Sequence, residues 1–246
     1  MGIIYYPNRV FKGKSPAIDY LMAQRIPRSV TGFQDITSSG LDHRIYQNTN
    51  WVLDAVAFQF NNTVSKTYGF NIVNGRAVVE NLNDYLWFWV DGTMPQKIIL
   101  GSGFYTGTEL ATELQSKMDA NDAYTAANIT FSVDYAPSTG LFTITPSDGT
   151  IKYLAVNTMT THQNRDSIAG HLFGLTVNGS SFASSVQSDS PVFGLDQETV
   201  LLSSTSSTAD HYHDDTHVLT MDQAVRLTTN TAASTVTYTI EYEGIA

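Results

Sequence analysis

The strongest local concentration of chemically active side chains is a histidine- and aspartate-rich segment, residues 210–217. It contains His211, His213 and His217, half of the six histidines in the chain, together with three aspartates. On a strand, His211 and His213 would lie on the same face, and His217 with an aspartate could complete a divalent metal site of nitrogen and oxygen ligands. The spacing matches no zinc motif. A solvated acidic loop whose histidines protonate at about pH 6 is the competing interpretation.

The other candidate groups for catalysis give weaker patterns. The paired carboxylates Asp214/Asp215 and Asp119/Asp122 do not fall where a core pocket is expected, so solvated loop acids are the favoured interpretation. The chain has no cysteine and no Gly-x-Ser-x-Gly motif, which excludes a thiolate nucleophile and argues against a serine elbow. The Gly-Ser-Gly turn at 101–103 lacks the lysine of a P-loop. We expect no enzyme activity and no cofactor, with a divalent metal at the His cluster as the disfavoured alternative.

An aromatic run, Trp87-Phe88-Trp89, could stack against a sugar ring. It belongs to a six-residue apolar stretch from Tyr85 to Val90 that Asp91-Gly92 closes. A stretch of that length and composition is more typical of a strand buried on both faces than of a binding platform.

One helix is predicted by both its cap and its periodicity. Thr106 and Glu109 match a capping box, in which each side chain satisfies a free amide at the start of the helix. Leu110, Leu114 and Met118 then repeat every four residues and form one apolar stripe. Asn121-Asp122 ends this helix.

Most of the remaining chain alternates with the period of a strand. Asn74-Gly75 predicts a hairpin turn that joins strand 68–73 to residues 76–79. The fold class is therefore mainly β, of a β-sandwich or jelly-roll-like kind, with an α/β module that contains the amphipathic helix. The further predicted strands are 51–60, 85–90, 96–100, 129–135, 141–145, 151–156, 198–202, 218–227 with a break near Asp222, and 235–242, the last of which should close a sheet.

Composition narrows the class of protein further. The 246 residues carry a net charge of −10, which argues against a general nucleic-acid binder. Charged residues make up 15% of the chain, against about 25% in an average domain. No apolar run reaches the ~18 residues of a membrane span, and no basic region precedes the apolar start, so we expect neither a membrane span nor a signal peptide.

The charge is divided unevenly along the chain. Residues 1–44 carry six bases and three acids, which is +3, and the remainder carries −13. We assign residues 1–48 to an extended basic arm and residues 49–246 to a β-rich body, which includes the 96–176 module and, over 177–246, C-terminal strands and Ser-rich loops. The arm either straps onto an acidic neighbouring subunit or is a flexible terminus. Its expected contact residues are Tyr5, Tyr6, Arg9, Phe11 and Lys12.

A resemblance follows from four short motifs. They are Gly103-Phe104-Tyr105-Thr106, Glu109-Leu110 to Leu114, Ser138-Thr139-Gly140 and Leu172-Phe173-Gly174-Leu175. Over about residues 96–176 the order strand, Gly-x-Tyr-Thr, helix, hairpin and Leu-Phe-Gly-Leu resembles a module of virion structural proteins. These are minor capsid, cement, vertex and tail components of tailed phages and large double-stranded DNA viruses. The resemblance implies no catalytic residues.

The resemblance and the composition together predict the function. We expect a non-enzymatic structural component of a virus or phage particle, such as a minor capsid, cement or vertex protein that stabilises the shell through extended interfaces. Its partners would be a major capsid protein or other virion proteins and further copies of itself, with no membrane and no specific nucleic acid. Its location would be the virion, assembled in the host cytoplasm. The alternative is a tail or host-recognition component that binds a receptor.

Overall fold

The computed structural model describes residues 25–36, 41–47, 50–60, 66–155, 167–206, 210–213, 216–229 and 234–245. The chain divides into two compact units. One comprises Met1–Val73 and Glu198–Ala246, and the other comprises Asn74–Gln197. The second unit is therefore an insertion in the sequence of the first. In the described part of the chain, no helix is both long and apolar enough to cross a membrane.

The discontinuous unit, which we call the sandwich unit, contains two antiparallel sheets. The strands of the first sheet are β1 (Arg25–Ile36), β3 (Trp51–Phe60), β14 (Asp210–His213), β15 (His217–Leu219) and β17 (Ser234–Ile245). Those of the second are β2 (Leu41–Tyr46), β4 (Lys66–Asn74), β13 (Glu198–Ser206) and β16 (Gln223–Thr229). In the first sheet the order is β1-β17-β3-β14, and β15 pairs with the N-terminal part of β3, on the same side as β14. In the second sheet the order is β13-β4-β16-β2.

The order of these strands is that of a jelly roll. If β14 and β15 are counted as one interrupted strand, the unit has eight strands in two four-stranded sheets. Each strand is followed along the chain by a strand of the other sheet, except that β4 is followed in this unit by β13 of the same sheet. Two sheets wound in this way are the arrangement of two Greek keys. The expectation of a mainly β fold of the sandwich or jelly-roll kind is confirmed.

The two sheets bury their apolar faces in one core. Side chains from both contribute to a single buried cluster, in which Trp51 packs edge-on against Tyr242 with ring centroids 5.6 Å apart. The alternation of apolar and polar residues along each strand places one face inward. The buried members of this cluster are Trp51, Leu53, Phe70, Ile72, Leu219, Val225, Leu227, Ile240 and Tyr242.

The inserted unit begins and ends at neighbouring positions of the sandwich unit. Val73 of β4 pairs with Glu198 of β13, and one residue further along, the Asn74 amide donates to the Gln197 carbonyl at 2.9 Å. The predicted hairpin at Asn74-Gly75 is therefore wrong, because β4 pairs with β13 rather than with the residues that follow it. Gly75 is needed for a different reason: a Cβ there would lie 2.2 Å from the Tyr105 carbonyl oxygen.

The inserted unit contains three small sheets. A two-stranded sheet joins β5 (Arg76–Val78) to β8 (Gly103–Tyr105). A three-stranded sheet has the order β11-β6-β7, with β6 (Tyr85–Val90) between β7 (Gln96–Ile99) and β11 (Ile151–Leu154). Another has the order β12-β10-β9, built on the predicted hairpin of β9 (Phe131–Ala136) and β10 (Leu141–Pro146), with β12 (Val186–Gln187) added.

The predicted helix is present as α1 (Gly107–Asp119), and a short α2 (Asp122–Ala126) follows it. Both halves of the capping box form, and Leu110, Leu114 and Met118 are buried. The polar side of α1 covers the free edge of β9: Gln115 accepts from the Val133 amide at 3.1 Å and Asp119 from the Phe131 amide at 2.7 Å. A covered edge cannot pair with another chain.

Residues 180–190, in the region predicted to contain Ser-rich loops, are held by β12 and by a buried serine. The segment contains β12, and the hydroxyl group of Ser188 is buried, where it donates to the Phe173 carbonyl at 2.6 Å and accepts from the Phe142 amide at 2.8 Å. These bonds tie the segment to β10 and to the Leu-Phe-Gly-Leu motif. The motif overlaps a 3₁₀ helix over Gly170–Phe173, which Gly174 ends in the left-handed conformation.

Two strands fall within residues 1–48, the range assigned to the arm. β1 pairs with β17 along its whole length, and β2 pairs with β16, so both belong to the sandwich unit. Residues 1–24 lie outside the described residues. The extended arm is therefore a prediction for residues 1–24.

Truncating a core side chain of α1 tests how the helix is held. Leu114 is fully buried in the core of the inserted unit, so Leu114→Ala should lower the free energy of unfolding by about 2–5 kcal/mol. Ser116 is exposed on the same helix, and Ser116→Ala should change it by less than about 0.5 kcal/mol. Urea unfolding followed by far-UV circular dichroism measures both. Equal effects would show that the apolar stripe is not what holds α1.

Candidate functional site

The predicted metal-binding segment lies on the edge of the first sheet. His211 and His213 belong to β14 and His217 belongs to β15, and both strands pair with β3. The side chains of His211 and His213 lie outside the described residues, as do Asp214 and Asp215. Among the described side chains, no three His, Asp or Glu residues are grouped as metal ligands. The metal site therefore stays a prediction. The register is His211 opposite Phe58, His213 opposite Val56 and His217 opposite Leu53.

The predicted contact residues of the arm, Tyr5, Tyr6, Arg9, Phe11 and Lys12, lie outside the described residues. Other groups considered for chemistry have structural partners. The Asp119 carboxylate accepts from the backbone of β9, and the Gly101 amide donates to Glu113 of α1 at 2.7 Å. In the described residues these groups therefore stabilise the junction between α1 and its neighbouring strands.

A charged row crosses the second sheet of the sandwich unit. The Arg226 guanidinium on β16 donates to both carboxylate oxygens of Asp42 on β2, at 2.8 and 2.7 Å. On its other side it donates to Glu198 of β13 at 3.3 Å, and Glu198 also accepts from Asn71 of β4 at 2.7 Å. Arg44 adds a further ion pair to Asp42 at 3.3 Å. The row therefore connects all four strands of the sheet through one bidentate arginine.

The cations of this row set the charge state of Asp42. Burial alone would raise the pKa of Asp42, but the hydrogen bonds and positive charges of Arg226 and Arg44 outweigh it and lower the pKa below its ordinary value. Asp42 is therefore ionised wherever the sheet is folded at neutral pH. This row is structural: its carboxylates are already occupied by cations of the same sheet.

A second surface lies on the sheet β11-β6-β7 of the inserted unit. Strand alternation divides the predicted aromatic run: Phe88 points into the core with Leu86 and Val90, whereas Trp87 and Trp89 lie on the opposite face, where Trp87 is buried and Trp89 is half-buried. The register places Lys97 of β7 opposite Trp87 and Lys152 of β11 opposite Trp89. The positions that share this face with Trp87 and Trp89 are Tyr85, Lys97, Ile99, Lys152 and Leu154, and of all seven only Trp87 and Leu154 are buried.

The two lysines of this face lie over aromatic rings. The Lys152 ammonium is 4.4 Å from the centroid of a Trp89 ring and 4.6 Å from that of Phe182. The Lys97 ammonium is 3.9 Å from the Tyr85 ring centroid. Phe182 reaches this position because the adjacent residue, Ala183, bridges to Ile151 of β11. We call the set Tyr85, Trp89, Lys97, Lys152 and Phe182 the aromatic–lysine face.

The sequence indicated part of this face and missed the rest. The aromatic run predicted a strand buried on both faces, and Trp87 and Phe88, which lie on opposite faces of β6, are both buried. The sequence pattern does not predict that Lys97 and Lys152 lie beside the run, because they are distant from each other in sequence. Only the register of β7 and β11 on β6 brings them together.

Comparison with known proteins does not assign the chain to a family. No model of a known protein family matches the chain, and no curated protein matches it. Among solved structures, the mavirus penton protein is similar over 90% of this chain and 100% of that chain, with a TM-score of 0.30 and 7% sequence identity. At this level the likeness gives the chain neither a family nor a function.

Replacing the central arginine tests the charged row. Because the Asp42 side chain is 44% exposed, Arg226→Gln should lower the free energy of unfolding at pH 7 by only about 1 kcal/mol. The lowered pKa of Asp42 stabilises the fold above 3.8, its ordinary value, and this contribution is lost as the pH falls through the folded-state pKa. The effect of the substitution should therefore shrink in acid. Urea unfolding at several pH values measures it, and a pH-independent difference would contradict the assignment.

Metal binding by the His cluster is tested by calorimetric titration of the purified chain with zinc. The prediction is one saturable site that the double variant His211→Gln/His213→Gln abolishes. His171 is exposed on the 3₁₀ helix, and His171→Gln is the matched control, which should bind as the natural chain does. Absence of binding by the natural chain, or equal loss in the control, would favour the solvated loop.

Proposed function

We propose that this protein is a non-enzymatic structural component of a virus particle, in the class of minor capsid, cement or vertex proteins. The observation that carries the proposal is the topology of the sandwich unit, an eight-stranded jelly roll in two sheets. Jelly rolls are common in viral capsid proteins, and they also occur in lectins and cupins. Because a fold by itself does not determine function, the proposal needs support from the rest of the chain.

The inserted unit adds support. The strand, capped helix, hairpin and short helix that resemble a virion module form one continuous buried core. Tyr105 and Thr106 of the Gly-x-Tyr-Thr motif have defined roles there: the Tyr105 hydroxyl donates to the Gly101 carbonyl at 3.0 Å, and Thr106 caps α1. These two residues therefore stabilise the start of α1, which is the role that a shared module would give them.

The position of the arm adds a second line of support. Residues 1–24 precede β1, which is an edge strand of the first sheet. They carry three bases and one acid in a chain of net charge −10, together with Ile3, Ile4, Tyr5, Tyr6 and Phe11. A basic, apolar segment attached at a sheet edge is suited to an acidic neighbouring subunit. The proposed partners are the major capsid protein and further copies of this chain, in a virion assembled in the host cytoplasm.

Deleting the arm tests this proposal. A chain that starts at Arg25 keeps every described strand, so it should fold with the stability of the full chain. Coexpressed with the major capsid protein of the same virus, it should be incorporated into particles at least tenfold less than the full chain. Quantitative mass spectrometry of purified particles measures the incorporation. Lys117→Gln, which removes a positive charge from the exposed side of α1, is the control and should be incorporated normally.

Two outcomes would contradict the proposal in different ways. Normal incorporation of the shortened chain would exclude the arm as the attachment. Absence of the full chain from purified particles would exclude the virion role itself.

A further inference from the structure

The two edges of the first sheet carry opposite charge. β1 is one edge, and in the described part of the chain it pairs only with β17. β14 and β15 form the other edge, where their one strand partner among the described residues is β3. Residues 1–36, which end with β1, carry five bases and two acids. Residues 210–222, from the start of β14 to the turn after β15, carry four aspartates and neither lysine nor arginine. We call residues 210–222 the acidic edge.

The second sheet offers no comparable charge at its edges. Arg226 donates to Asp42 of the edge strand β2 at 2.8 and 2.7 Å, and to Glu198 of the edge strand β13 at 3.3 Å. These carboxylates are therefore paired within their own sheet. Among the described edges of the sandwich unit, the acidic edge is the one whose charge suits a basic segment.

The acidic edge also exposes apolar side chains. Val218 on β15 is 71% exposed, and Met221 in the turn that follows is 50% exposed. The basic arm has the matching composition, since residues 3–6 are two isoleucines and two tyrosines and Phe11 follows. Apolar contact surrounded by opposite charges is the usual chemistry of a protein–protein interface.

The arm begins at the same end of the sheet as β15. Arg25, the first residue of β1, pairs with Ile245 of β17. The adjacent residue of β17, Gly244, pairs with Trp51, which on its other side pairs with Leu219 of β15. In two copies set side by side in the same orientation, the residues before Arg25 therefore start level with β15 of the neighbour. An extended segment of 24 residues spans up to about 80 Å, which is longer than this edge.

We propose that copies of this chain associate head to tail, with residues 1–24 of one copy bound along the acidic edge of the next. Opposite charges on opposite edges of one sheet suit a heterologous contact, which closes into a ring when the rotation between copies allows it. An arm folded onto the acidic edge of its own copy would leave the basic edge at β1 unmatched, which favours a second copy as the partner. This inference rests on the role proposed for the arm, and it adds the surface that receives the arm.

Sedimentation velocity of the purified full chain, without any other virion protein, tests the inference. The chain should self-associate at low salt and dissociate at high salt, because salt screens contacts between exposed charges. A chain that starts at Arg25 and the variant Asp214→Asn/Asp215→Asn should each self-associate at least tenfold more weakly, with unchanged circular dichroism. Glu80→Gln/Asp148→Asn removes the same charge from exposed positions of the inserted unit, and it should associate as the natural chain does.

Mixing the two defective chains gives a sharper test of the same contact. The shortened chain keeps the acidic edge, and the Asp214→Asn/Asp215→Asn variant keeps the arm. The mixture should therefore form a one-to-one complex that neither chain forms alone.

Three results would overturn the inference. The first is a natural chain that stays monomeric at low salt, which would place the arm on its own copy or on another virion protein. The second is the absence of a complex in the mixture. The third is an equal loss in the Glu80→Gln/Asp148→Asn control, which would indicate nonspecific attraction. Incorporation into particles is measured separately, so each of these results would exclude the contact between copies without excluding the virion role.

Discussion

The pairing of β4 with β13 is the contact on which the architecture depends. These strands are neighbours in the second sheet, yet residues 74–197 separate them in sequence. The inserted unit must therefore begin and end a few ångströms apart, which the pairing of Val73 with Glu198 and the hydrogen bond from Asn74 to Gln197 provide. If this pairing were lost, β13 could not join the sheet, the charged row would lose Glu198, and the jelly roll would lack one strand.

Sequence patterns predicted the local structure well and the long-range pairing poorly. The capping box of α1, its apolar stripe and the β9–β10 hairpin depend on residues close in sequence, and all are present. The Asn74-Gly75 turn was wrong because a short turn signal does not reveal that a distant strand, β13, competes for β4. Likewise, β1 and β2 were assigned to an arm, since their partners β17 and β16 lie near the other end of the chain.

The same distinction applies to the surfaces. Buried aromatic side chains on β6 could be expected from composition, but whether Lys97 and Lys152 lie beside them depends on the register of two further strands. In the sandwich unit, cations and carboxylates neutralise each other across the sheet, whereas the aromatic–lysine face keeps its positive charge. The proposed function follows from the sandwich unit, a jelly roll suited to assembly.

The central claim is that the jelly roll is a subunit of a virus shell and that its basic N-terminal segment holds a neighbour. Cryo-electron microscopy of the purified particle that contains this chain tests it most directly. The account predicts density for the jelly roll in the shell, with residues 1–24 extended across an adjacent subunit. A shell without this chain, or residues 1–24 folded back onto their own sandwich unit, would contradict it.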